Sequence, residues 1–171
     1  VRLGDSDVLH PDMVLVGIGA AAADALAAQA GVPTDRGVLA DARLATAVPH
    51  VFAAGDVAVH DHPVYGRLRV EHWDTAIKQG RHAARSMMGG VEPYAEHPYF
   101  FSDQYDVGME YVGHVAAADA EAVVVRGDPD AFRMTALWIA GGVVAAGMHA
   151  NDWDATALIR PLLGRPATDA V

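Results

Sequence analysis

The chain has 171 residues, 52% of them hydrophobic and 20% charged, with a formal net charge of −10. That composition is globular and long enough to bury one sizeable core or two small ones, while its acidity argues against nucleic acid, whose binding rests on a basic footprint. Cysteine is absent, which excludes a disulfide framework, a thiolate metal site and a redox dithiol within these residues.

No run approaches the ~18 apolar residues of a membrane helix and no charged-then-apolar leader is visible, so the expectation is a soluble, cytoplasmic protein with no membrane contact. Because it opens on Val1, the chain reads as an internal or C-terminal piece of a longer one. Met13-Val14-Leu15-Val16-Gly17-Ile18-Gly19 is a continuous apolar run bounded by glycine, the pattern of a strand buried on both faces of a parallel sheet. It is not a dinucleotide loop: Ala22 stands where the third glycine is required, and no acidic residue is convincingly placed ~20 residues later. The alanine-rich stretch from Ala20 to Ala30 has helical propensity and is stopped by Gly31 and Pro33. Short strand or turn pieces follow at Gly37–Asp41 and Leu44–Thr46.

Val51-Phe52-Ala53-Ala54 reads as a buried strand that Gly55-Asp56 ends abruptly. A carboxylate is thereby left at the carboxyl end of a sheet, where open α/β sheets bind ligands. Unable to donate, it suits the hydroxyls of a sugar or sugar alcohol. On these residues alone, a turn-capping Asp56 is the simpler reading. His60-Asp61-His62 could begin a metal site, but no third ligand sits at a suitable spacing and Pro63 marks a loop, so a structural or solvent-exposed role is expected.

The helix after Trp73 has the clearest signal. Trp73, Ala76, Ile77, Gly80, Ala84, Met87 and Met88 recur at spacings of three and four, which predicts a buried apolar face. Asp74 or Thr75 can cap its start, and Gly89-Gly90 ends it. Arg67, Arg69, Lys78, Arg81 and Arg85 put five of the chain's twelve basic residues within nineteen positions. A solvated face and a docking patch explain them equally well.

A linker from Pro93 to Pro98 leads to an aromatic cluster, Tyr99-Phe100-Phe101. Val107–Gly113, Ala122–Arg126, Phe132–Ile139 and Val143–Met148 read as strands, with Gly141-Gly142 a strong hairpin signal. Asn151-Asp152 should cap a final helix carrying Ala155, Leu158, Ile159 and Leu162, ended by Gly164 and shortened or kinked by Pro161. The expected unit is a small α+β domain with an antiparallel sheet and no catalytic constellation.

Thr46 through Asp56 resembles the second flavin-contacting motif of FAD-dependent pyridine nucleotide oxidoreductases, and Arg69–Trp73 with Pro98–Asp106 resemble the ferredoxin or rubredoxin reductase branch of that family. The resemblance implies an α/β segment of an FAD/NAD(P)-binding domain over residues 1–92, with the 13–19 run returning from the NAD(P) domain, then a C-terminal reductase domain over 98–171. It implies FAD and NAD(P)H as cofactors. Gly55 and Asp56 would lie at the ribitol, His72 and Trp73 at the pole of the flavin ring, Glu71 toward the nicotinamide, and Phe100 and Phe101 at the ring edge. The family often carries Trp where this chain has Phe101. Arg67, Arg69, Lys78, Arg81 and Arg85 would dock an acidic ferredoxin or rubredoxin. The competing expectation is a non-catalytic interaction module, including a homodimer.

Overall fold

The computed structural model describes residues 1–4 and 7–170. An exposed ribbon of β1 (Arg2–Leu3) and β2 (Asp7–Val8) opens the chain. Residues 9–24 have no regular secondary structure, so the strand expected over 13–19 does not form. Met13, Leu15 and Ile18 are 85%, 95% and 91% exposed. A strand needs a neighbour for its backbone N–H and C=O groups, and among the described residues none lies beside this run. The alanine-rich helix is reduced to α1 (Ala25–Gln29).

A three-stranded sheet follows in the order β3 (Val38–Ala40), β4 (Ala58–His62), β5 (Gly66–Leu68), the first pair parallel and the second antiparallel. Two expectations change here. Val51–Ala54 is not a strand of this sheet: Phe52 makes a single bridge to Ala45, and Ala53 N–H donates to the Leu44 carbonyl at 3.0 Å. His60-Asp61-His62 is not a loop but the body of β4, and both imidazoles are buried. Pro63 acts only beyond the last paired residue, where its missing N–H costs nothing.

The helix α2 (Trp73–Met87) has the expected bounds and the opposite face. Its buried residues are Thr75, Gln79 and Ala83, whereas Trp73, Met87 and Met88 are exposed and Gly80 faces open space. Small and polar side chains allow close contact with the Gly55 turn and with Leu44 and Tyr94, and that contact sets the rotation of the helix. Nor is the 93–98 segment a solvated linker. Tyr94 is buried against Leu44 and Ala83, and its N–H donates to the Ala42 carbonyl at 2.7 Å.

The C-terminal half is a five-stranded antiparallel sheet ordered β6 (Tyr99–Gln104), β7 (Val107–Gly113), β10 (Val143–Ala150), β9 (Arg133–Ala140), β8 (Ala122–Asp128). Gly141 and Gly142, at φ +58° and +72°, make the β9–β10 turn, as its two-residue length requires. One sheet face is covered by α3 (Ala155–Ile159) and a single 3₁₀ turn, Arg160–Leu162, into which Pro161 fits. Val112, Leu137, Ile139, Val144, Ala155 and Ile159 form the core between them. The aromatic cluster Tyr99-Phe100-Phe101 opens the edge strand β6.

Candidate functional site

Gly55 turns the chain at φ +80°, a conformation that side chains rarely adopt, and the turn lies against α2, where an added Cβ would stand 3.4 Å from that of Ala76. Its N–H points inward and donates to Gln79 Oε1 at 2.7 Å. The following residue, Asp56, is exposed. Its backbone carbonyl accepts from Arg69 Nη1 at 2.8 Å, and the same guanidinium pairs with Glu71. Arg69 thus ties the Asp56 turn to the segment that enters α2.

At that entrance His72 is extended and caps the helix: its Nδ1 accepts from the Asp74 N–H at 3.2 Å. The N–H groups of Trp73 and Thr75 have no hydrogen-bond partner among the described residues. Two donors at the positive end of a fifteen-residue helix therefore remain for an acceptor. The Trp73 side chain beside them is 67% exposed. The His72 ring also meets β6, with centroids 6.3, 6.2 and 5.4 Å from those of Tyr99, Phe100 and Phe101. Phe100 stacks on its cross-strand partner Tyr111 at 4.8 Å, on one face of the sheet, while both phenylalanines remain partly exposed.

The Gly55–Asp56 turn, the start of α2 and the Phe100–Phe101 edge are thus linked through Arg69, Gln79 and His72. The basic residues separate into two kinds. Arg67 is paired with Asp61 at 2.9 Å and Lys78 with Asp74 at 2.8 Å, so these two and Arg69 are largely neutralised. Arg81 and Arg85 are exposed and have no carboxylate within 4.0 Å among the described residues.

Residues 1–80 match the family described as pyridine nucleotide-disulphide oxidoreductase, and residues 99–170 match the reductase C-terminal family. The first of these matches makes residues 1–80 similar to the pyridine nucleotide-disulphide oxidoreductases. The ferredoxin–NAD(+) reductase component of the anthranilate 1,2-dioxygenase system of Burkholderia cepacia is 39% identical over 145 residues, which are 83% of this chain and 35% of that protein. The ferredoxin reductase for the CYP199A2 system of Rhodopseudomonas palustris superposes with a TM-score of 0.81 at 33% identity, over 87% of this chain and 37% of its own. Putidaredoxin reductase, in its covalent complex with putidaredoxin, does so at 0.79 and 27%, over 92% and 38%. The chain spans about a third of the length of these relatives.

Two clusters lie outside the residues set out above, and of their members only His60 and His62 stand in a recognisable sequence pattern. Glu110 accepts three hydrogen bonds: Oε1 from Tyr99 Oη at 2.7 Å, and Oε2 from Thr156 Oγ1 at 2.5 Å and from His149 Nε2 at 3.1 Å. Burial alone would raise the carboxyl pKa, but the donors outweigh it and hold Glu110 below the usual carboxylate range. His149 is fully buried, and its Nδ1 accepts from the Asp152 N–H, which leaves Nε2 as the protonated, donating nitrogen. The second cluster gathers His60, His62, His97 and His114 around Tyr65 and Tyr94 where the two sheets adjoin. Only the neighbourhood of β7 and β10, separated by residues 114–142 of the chain, reveals the first. Among the described residues, no group of three or more His, Cys, Asp or Glu could hold a metal ion, and no helix is long and apolar enough to cross a membrane.

Proposed function

We propose that the chain is the C-terminal part of an FAD-dependent NAD(P)H:ferredoxin or rubredoxin reductase, residues 1–92 completing the cofactor-binding domains and residues 98–171 forming the reductase C-terminal domain. The observation that carries this reading is the linkage of the Gly55–Asp56 turn, the α2 N-terminus and the Phe100–Phe101 edge by direct contacts. The donor and acceptor chemistry fits a flavin. An exposed carboxylate at Asp56 accepts from ribitol hydroxyls, and the unpartnered N–H groups of Trp73 and Thr75 favour the negatively polarised side of the ring. When bound there, FAD supplies the hydride-accepting and electron-transferring chemistry between nicotinamide and an iron–sulfur carrier.

The side chains contribute position and field. His72 fixes the first turn of α2, Phe100 and Phe101 keep water from the ring edge, Glu71 borders the nicotinamide side, and Arg81 with Arg85 attracts an acidic carrier. The test is the full-length gene product, assayed for flavin absorbance and for nicotinamide-dependent reduction of a ferredoxin or rubredoxin. A yellow protein that reduces one of these carriers is the expected result. A colourless full-length protein that elutes as a dimer would favour the non-catalytic interaction module instead.

A further inference from the structure

We propose that Gln79 is a positioning residue for the flavin site, holding the Gly55–Asp56 turn through a hydrogen-bond chain that ends on His60. The proposal rests on the reading of that turn as FAD-binding. Gln79 sits two turns into α2, is 1% exposed, and carries no role in the reductase chemistry described above. Its Oε1 accepts the Gly55 N–H at 2.7 Å, and its Nε2 donates to His60 Nδ1 at 3.3 Å. Gly55 N–H is a donor only, so the amide has one possible orientation and the imidazole must present a bare Nδ1. The proton then sits on Nε2, the one buried side-chain polar atom without a hydrogen-bond partner among the described residues.

This arrangement places the constraint where Asp56 needs it. The N–H of a buried Gly55 has no other acceptor, and leaving it unpaired favours rotation of the turn toward water. Asp56 follows Gly55 directly, so that rotation carries the carboxylate away from its ligand. His60 in turn packs edge-on against Tyr94 at 5.5 Å and His62 at 5.9 Å, which keeps the imidazole from swinging off the amide. The turn, the helix and strand β4 are thereby connected by two buried side chains.

The experiment uses the full-length flavoprotein, with FAD affinity read by fluorescence titration and the flavin environment by visible circular dichroism. Gln79→Leu removes both ends of the amide at similar volume. It should weaken FAD about tenfold, the loss of one hydrogen bond plus an unpaired donor, and alter the visible flavin signal. Gln79→Glu retains an acceptor for Gly55 and should stay within about threefold of the unaltered protein. His60→Phe in the Gln79→Leu background should add no further loss, since the chain is already broken. Bound flavin indifferent to Gln79→Leu overturns the proposal alone, and so does equal weakening by Leu and Glu. If the Leu variant does not fold, Gln79→Glu decides: near-normal affinity supports the acceptor role, and a tenfold loss overturns it. An unaltered full-length protein without flavin brings down the reading of the turn, and this proposal with it.

Discussion

Glu110 holds Tyr99, Thr156 and His149 through two carboxylate oxygens, and the three donors come from β6, α3 and β10. Hydrogen bonds to a charged group contribute about 1.5–3 kcal/mol each, and a donor left buried without a partner costs about 1–3 kcal/mol. Glu110→Ala should therefore lower the unfolding free energy by about 2–4 kcal/mol, and Thr156→Val by about 1 kcal/mol, both read from urea midpoints at unchanged slope. A loss below 0.5 kcal/mol at Glu110 would show the three donors finding water instead. The contrast with Asp56 explains what the sequence made legible at this scale. Asp56, His72 and Trp73 stand in contiguous motifs whose meaning comes with their neighbours in the chain. Glu110 faces His149 only because β10 inserts beside β7, and nothing in Met109-Glu110-Tyr111 or Met148-His149-Ala150 announces that pairing.

Among the elements, α2 shows how a strong periodic signal selects a helix without fixing its rotation. The seven apolar residues predict the right span, yet the face that packs is Thr75, Gln79 and Ala83, where shortness of side chain and one buried amide count for more than hydrophobicity. Two adjacent alanines test this. Ala83 lies against Leu44 and Tyr94, so Ala83→Asp buries an unpaired carboxylate and should cost about 3 kcal/mol or more. Ala84 is exposed, and Ala84→Asp should change stability by about 0.5 kcal/mol at most. Equal melting temperatures for the two variants would return the apolar face to the core. Four strands of the second sheet were readable because alternating apolar residues and glycine turns are local properties. Neither the loss of the 13–19 strand nor the order β6–β7–β10–β9–β8 is local: the first depends on whether a partner strand is present, the second on how hairpins stack.

For the molecule as a whole, the formal charge is −10, and against it Arg81 and Arg85 stand exposed on α2 with no carboxylate within 4.0 Å among the described residues. On the proposed function, Arg81→Glu with Arg85→Glu should slow association of the full-length reductase with an acidic carrier by about tenfold at low salt, and by much less near 0.5 M, because exposed charges are screened beyond a few ångströms there. Unchanged association kinetics at low salt would remove these residues from docking. Acid should act on a different region, the seam of histidines and tyrosines between the two sheets. Burial lowers the pKa of His60 from 6.5 to about 4, with His62 beside it acting in the same direction and Asp61 opposing. Burial also lowers His62 and His97, the first partly offset by its bond to the Glu96 carbonyl, the second facing Arg160 and Glu96. These imidazoles are neutral in the folded chain and bind protons in the unfolded one, so their contribution is intact above about pH 6.5 and is lost as pH falls toward 4. From pH 7 to pH 5, His60 alone should remove roughly 2 kcal/mol of unfolding free energy. Carboxylates such as Glu110 add to the loss only below that window. Urea unfolding at pH 7, 6 and 5 should show the decline, and His60→Phe should flatten it while lowering stability at every pH. A flat profile in the unaltered protein would mean that the seam opens to water before its histidines must charge.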